Sequence, residues 1–263
     1  DNTGTNYSDI QLGRYTFDGN GTPTPVQLAY TEENSQNYTK VITLNTLGKE
    51  YLEYATRSYP DGIAGEGTNN LNAIAKDLGG FVDSVRNNGG YYLARYEASY
   101  GGGVPLSKPS TTNNYNSSII GSLWNNVTQI EAAKASRSMY NNNSNVGVES
   151  DLVNSYAWDT AIVFVQEMGV TNYSNKSMKY SNPKNTGTTG DIACNIYDMC
   201  SNCKEWDTEY STHEHADGTI AYPCVPRGGD YYSGHPTSSR FAYIYTSIYK
   251  SNQMAFRVML YVR

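Results

Sequence analysis

Phenylalanine is scarce in this 263-residue chain, with 5 residues against 25 tyrosines, and cysteine (4) and histidine (3) are rarer still. The four cysteines cluster between Cys194 and Cys224. They allow one disulfide in an exported protein, with a pairing that spacing does not reveal, or else buried free thiols. No apolar run approaches the roughly 20 residues of a membrane-spanning helix, and no signal-like apolar segment opens the chain. The first residue is Asp1, so the sequence reads as a mature or trimmed product. Basic residues are outnumbered 19 to 25, leaving a formal net charge of −6 and a pI near 5.1. That balance withdraws the electrostatic support a nucleic-acid partner needs. There is no internal repeat and no heptad pattern, which excludes solenoids and coiled coils.

What is present is a length able to bury about three quarters of the unfolded surface in a core. Tyrosine occurs with abundant Asn, Ser and Gly, the mixture typical of binding loops. Tyrosine gives a large stiff contact surface with two torsions to freeze, and the small polar residues adapt their hydrogen bonds. The same composition also suits a β-rich surface protein whose tyrosines line strands.

Residues 1–66 are polar and hold two strand-like runs, VQLAYTE and KVITLNTLG. Gly62, Gly65 and Gly67 then punctuate the chain, so a boundary is expected there: an N-terminal region of unassigned role at 1–66 and a larger domain at 67–263. In NNLNAIAKDLGGFVDSVRNNGG the apolar residues Leu71, Ile74, Leu78, Phe81, Val82 and Val85 recur at helical spacing. Gly79 and Gly80 are expected to split this run into two short helices. GGYYLARYEASY reads as a strand. A capping box at Thr128 and Glu131 opens the next helix, whose Ile130, Ala133 and Met139 face inward. A further helix is expected to start near Asn154, bury Trp158, Ile162 and Val165, and stop at Gly169. At the C-terminus Phe256, Val258 and Leu260 alternate as in a half-buried strand. Few helices among many loop-linked strands predict an α+β fold of short helices around small antiparallel sheets with long loops.

Three phrases in order, GGYYLARYEAS (89–99), NIYDMCSNCKEW (195–206) and RGGDYY…AFRVMLYV (227–262), together with SYAWDTAIVFV (155–165), carry a family resemblance. From about residue 70 to the end the chain resembles the formylglycine-generating-enzyme (sulfatase-modifying factor) type of C-type lectin fold. The enzymes of that type use a cysteine pair at the seventh and twelfth places counted from the arginine of Arg-Gly-Gly. Those places hold Ser233 and Ser238 here. A hydroxyl cannot supply the soft thiolate that Cu(I) and thiol redox chemistry need, so no catalytic residue is expected.

A second branch of the fold is non-catalytic: the variable proteins of diversity-generating retroelements, displayed on phage virions or bacterial surfaces. In that branch the segment between Arg-Gly-Gly and the final Phe-Arg strand binds a ligand, and adenines in its AAC or AAT codons are randomised. Retaining the final pyrimidine forbids Lys, Glu, Gln, Met and Trp. Asp230 to Tyr249 contains none of these, although Asp77 to Tyr96 passes the same test. The resemblance therefore implies an extracellular or surface-displayed protein with a ligand-binding segment at 230–249, its ligand most in keeping with a surface protein. The expected contact residues are Asp230, Tyr231, Tyr232, Ser233, His235, Phe241, Tyr243, Ile244, Tyr245, Ile248 and Tyr249. Arg227 is expected to fork onto carbonyls or a carboxylate, and Gly228 and Gly229 to admit close backbone approach. An enzyme of the same fold and a structural pilus or tail subunit are the alternatives.

The same resemblance implies a possible structural calcium site at Asp198, Ser201, Cys203 and Glu205, a hard-oxygen set once backbone carbonyls are counted. Ser201 stands where the family has glycine. Cys200, Cys203, His213 and His215 suggest zinc, but their spacing fits no ordinary finger.

Overall fold

The computed structural model describes residues 10–26, 40–46, 49–54, 78–111, 119–140, 147–211, 224–241 and 249–262. Along the chain run β1 (Tyr15–Phe17), β2 (Pro23–Pro25), β3 (Lys40–Thr46) and β4 (Lys49–Tyr54). Then come α1 (Leu78–Asn88), β5 (Tyr92–Leu93), β6 (Ser99–Tyr100), β7 (Pro105–Leu106), α2 (Gln129–Ser138) and β8 (Val148–Leu152). The second half holds α3 (Ser155–Glu167), β9 (Ile192–Ala193), β10 (Ile196–Tyr197), β11 (Lys204–Ser211), β12 (Cys224–Arg227), β13 (Met254–Phe256) and β14 (Val258–Val262). The architecture is α+β, with helices packed on small, mostly antiparallel sheets.

β11 organises the largest sheet. It pairs antiparallel with β12 and β4 and parallel with β13, and β4 continues to β3. A second sheet has β14 between β5 and β8. Because β4 pairs with β11, the described part of the N-terminal region extends the sheet of the larger domain. Gly13 also exchanges hydrogen bonds with Thr160 on α3. The expected boundary at 60–70 therefore does not separate two cores among the described residues.

Both helix caps expected from the sequence are formed. The Glu131 amide donates to Thr128 Oγ1 at 3.1 Å and the Thr128 amide donates to Glu131 Oε2 at 2.8 Å. Asn154 caps α3 by accepting from the Ala157 amide at 2.8 Å, and Gly169 takes φ +97° just past its end. Trp158, Ile162 and Val165 are fully buried, together with Tyr156, Phe81 and Met259. Across β11 a second cluster holds Trp124, Trp206, Leu152, Ala133 and Phe256, with Trp124 and Phe256 rings edge to face at 5.2 Å.

Three expectations are corrected. Gly79 and Gly80 lie inside α1 and do not break it, while Leu71 and Ile74 of the same run lie outside the described residues. GGYYLARYEASY is not one strand: it bends at 95–97 between β5 and β6. The closing strand is not half-buried by alternation. Met254 to Met259 are all buried, because Met254, Phe256 and Val258 pack into one apolar cluster while Ala255 packs on Leu123 and Cys203, Arg257 binds Glu205 and Met259 enters the cluster on α3; Leu260 is the first partly exposed residue. A strand covered on both sides loses the period-2 signal.

Candidate functional site: the loop after Arg-Gly-Gly

The loop begins where β12 delivers Arg227 into a buried ionic network. Arg227 Nη2 reaches Asp159 Oδ1 of α3 at 2.5 Å, and its Nε donates to the Ser239 carbonyl at 3.0 Å. Arg240, at the far side of the loop, binds the other oxygen of Asp159 and also Glu209 of β11. Arg14 closes the set on Glu209. Three arginines (Arg14, Arg227, Arg240) thus face three acids (Asp159, Asp207, Glu209) in a charge-balanced interior cluster. Burial pushes the Asp159 carboxyl up, but the Arg227 and Arg240 guanidiniums outweigh it and hold it below the usual carboxylate range.

The two glycines fit the close approach expected of them. Gly228 has φ +78°, and a Cβ there would overlap the Met199 carbonyl and crowd the Trp158 ring. A Cβ on Gly229 would overlap the Cys200 carbonyl. Trp158 in turn donates its indole N–H to the Thr237 carbonyl at 3.0 Å. The Thr237 and Ser238 amides donate to the carbonyls of Lys176 and Ser174 at 3.0 and 2.9 Å. The loop backbone is therefore tied to α3 and to the segment after it.

Within this frame the expected contact residues separate. Asp230 is fully buried: its carboxylate binds the Lys204 ammonium, accepts from Ser233 Oγ at 2.5 Å and accepts from the Tyr232 amide at 2.8 Å. Burial raises its carboxyl, yet the hydrogen bonds from Lys204 and Ser233 bring it below the usual value. Tyr231 is only 6% exposed, with its backbone held between Asn202 and Tyr180. Both are corrected from ligand contacts to parts of the frame. A carboxylate at this turn is needed to satisfy loop amides and the buried Lys204, and the Tyr231 ring lies on the inner side.

Tyr232 is 71% exposed. Ser233, His235, Phe241 and Tyr249 are half-buried, and the rings of His235 and Phe241 meet at 4.6 Å. Lys204 Nζ sits 4.9 Å over the Phe241 ring. Tyr243, Ile244, Tyr245 and Ile248 lie outside the described residues.

The carboxylates of the expected calcium set are engaged by protein donors. Asp198 accepts from Thr186 Oγ1 at 3.0 Å, from the Gly187 amide at 2.5 Å and from Thr189 Oγ1 at 2.5 Å, which engages both its oxygens. Glu205 accepts from Arg257 Nε at 2.9 Å and Nη2 at 2.6 Å, a two-point fork. Ser201 turns its hydroxyl to Thr189, and Cys203 donates its thiol to the Asn252 carbonyl and its amide to Glu97. Arg257 further donates to the carbonyls of Ala94 and Tyr197 at 2.8 and 2.6 Å. A guanidinium thus supplies the positive charge that Glu205 requires. Among the described residues no three His, Cys, Asp or Glu side chains are grouped to hold a metal. His213 and His215 lie outside the described residues, and all four cysteines are free thiols.

Sequence reasoning missed Arg14, Asp159, Glu209 and Arg240, because each finds its partner dozens to hundreds of residues away and no local spacing announces it. It also missed Tyr180, whose amide donates to the Tyr231 carbonyl at 2.7 Å and whose hydroxyl donates to the Thr189 carbonyl at 2.5 Å. No protein-family model, no curated protein and no solved structure matches the chain.

Proposed function

We propose that the chain is a non-catalytic recognition protein with the C-type-lectin-like fold of the formylglycine-generating-enzyme type. Its loop after Arg-Gly-Gly binds a ligand, is diversified by a retroelement and is displayed on a phage or bacterial surface. One observation carries the reading: Tyr232 stands 71% exposed on a loop whose backbone is fixed beneath it by Arg227, Asp230 and Arg240. A rigid frame lowers the entropy cost of binding, and an exposed tyrosine is an effective anchor for a protein surface.

The hydroxyl at the first cysteine place supports absence of catalysis. Ser233 Oγ contacts only groups poorly suited to activate it: a carboxylate held below its usual range and the ammonium paired with that carboxylate. Neither is a ready base for the serine proton.

A display library tests the reading. Tyr232, His235 and Phe241 are randomised together, and clones are selected on an unrelated folded protein. Clones that keep the parental melting temperature and bind the chosen target specifically are expected. A library in which most clones unfold, or in which no binders emerge, overturns the proposal. The retroelement element has its own check in the genome: a near-copy of the codons for 230–249 beside a reverse transcriptase, differing only at adenines.

A further inference from the structure

Charge is distributed very unevenly around this loop. Residues 176–190 contain Lys176, Lys179 and Lys184 and no carboxylate, although the whole chain carries −6. Between 228 and 249 the one carboxylate is Asp230, buried against Lys204. Among the residues whose exposure is described, the exposed carboxylates are Asp18, Asp83, Glu131 and Glu167, and the exposed cations away from this face are Arg86, Arg95, Lys108, Lys134 and Lys250. Asp83, Glu131 and Glu167 belong to the helices α1, α2 and α3. Asp18 turns its carboxylate onto its own loop, accepting from the Asn20 and Thr22 amides at 2.8 Å each.

The lysines are joined to the loop by contact. The stem of Lys179 lies against Gly234, so closely that a Cβ at that glycine would overlap it. Lys184 places its ammonium 3.8 Å over the ring of Tyr180, and the Tyr180 amide is bonded to the carbonyl of Tyr231, next to the exposed Tyr232. Lys176 is neutralised by Asp191 at 3.1 Å. Lys179 and Lys184 have no carboxylate partner among the described residues. The His235 imidazole is driven below its usual value by burial first and then by the Lys204 ammonium, with Asp230 opposing and Lys179 adding to the shift.

We infer that this face takes an acidic segment of a protein, its carboxylates received by Lys179 and Lys184 and its backbone and side chains packed on Tyr232 and Tyr180. The inference rests on the reading of the loop as a recognition surface and adds the chemical class of the partner. Cations flanking tyrosines, with no carboxylate of the same segment left at the surface beside them, attract an acidic partner to this face. Lysines offer point charges with freely rotating donors, which suits carboxylates arriving in varied geometry.

The probe is a fluorescently labelled decaglutamate peptide, with decalysine and a heparin oligosaccharide as comparison arms, read by anisotropy at low and at high sodium chloride. The expected result is decaglutamate binding that weakens with salt, exceeds that of both comparison arms, and falls at least about tenfold in Lys179→Glu/Lys184→Glu at unchanged melting temperature. Absence of decaglutamate binding, binding indifferent to the charge reversal, or stronger binding of heparin overturns the acidic-protein assignment. Failure here leaves a library that yields folded binders untouched. Conversely, decaglutamate binding lost on charge reversal, beside a library that unfolds, removes the diversified-loop reading alone.

Discussion

Arg227 and Arg240 face one another as an antiparallel bridge and share a single carboxylate, Asp159, one arginine on each of its oxygens. Two cations held this closely in the interior are stable only with their acids in place. The two ends of the turn between them, 228–239, are thus joined by backbone bonds, Gly228 N–H to the Ser239 carbonyl at 3.3 Å and Phe241 N–H to the Pro226 carbonyl at 3.1 Å, and by the charges that lie beneath it.

Asp159→Asn tests that dependence. Removing the negative charge leaves Arg227 and Arg240 buried with one shared acid fewer, and breaking a buried pair costs about 3–5 kcal/mol. Urea unfolding monitored by tryptophan fluorescence is expected to show a loss in this range. A loss below about 1 kcal/mol would mean that the network contributes specificity without holding the loop.

Gly228→Ala addresses the backbone. The position has φ +78°, and a methyl group there meets the Met199 carbonyl and the Trp158 ring. The left-handed conformation alone costs a non-glycine residue about 1–3 kcal/mol, and the steric overlap adds to it. Thermal unfolding should show a clear drop, whereas Gly90→Ala, with open space around it and an ordinary φ, should stay within about 0.5 kcal/mol of the parent.

Glu97 and Asp159 predict opposite responses to pH. Burial first, then Asp198 and Glu205, raise the Glu97 carboxyl well above its ordinary 4.5. The folded state then binds this proton more tightly than the unfolded chain. The resulting stability is complete below pH 4.5 and is lost as pH rises through the folded value. Asp159 is depressed below its ordinary 3.8, so its stability is present above that value and is lost as pH falls further. Urea midpoints are expected to decline on acidification below about pH 4 in the parent but less in Asp159→Asn. Glu97→Gln should flatten the decline that the parent shows as pH rises above 4.5; an unchanged slope would show that Glu97 is not the group responsible.

Calcium should have little to stabilise. Both oxygens of Glu205 are taken by Arg257 and both oxygens of Asp198 by loop donors. The melting temperature is expected to be the same in EGTA and in millimolar calcium. A rise of several degrees with calcium would show that the ion displaces these donors.

The helix caps at Thr128 and Asn154 and the buried face of α3 were legible in the sequence, because each is built within a few residues and obeys a local period. Gly228 and Gly229 were legible for a related reason, since paired glycines mark a place where a Cβ cannot fit. Arg240 was not. It lies inside the stretch read as free to vary, yet it is buried among acids from α3 and β11, and only the pairing of those elements brings the charges together. Asp230 and Tyr231 show the same limit, since their partners, Lys204 and Asn202, are more than 25 residues away.

The sequence by itself determined the class of fold, the helix termini, the glycine turn and the absence of a thiol pair after it. Each of these depends on residue chemistry or on spacing within about a dozen positions. Only the tertiary structure decided which described loop residues face water, that Arg257 forks onto Glu205, and that lysines from 176–190 border the loop. Burial and charge pairing are properties of the space between segments, and that space exists only once β11, α3 and the loop have packed together.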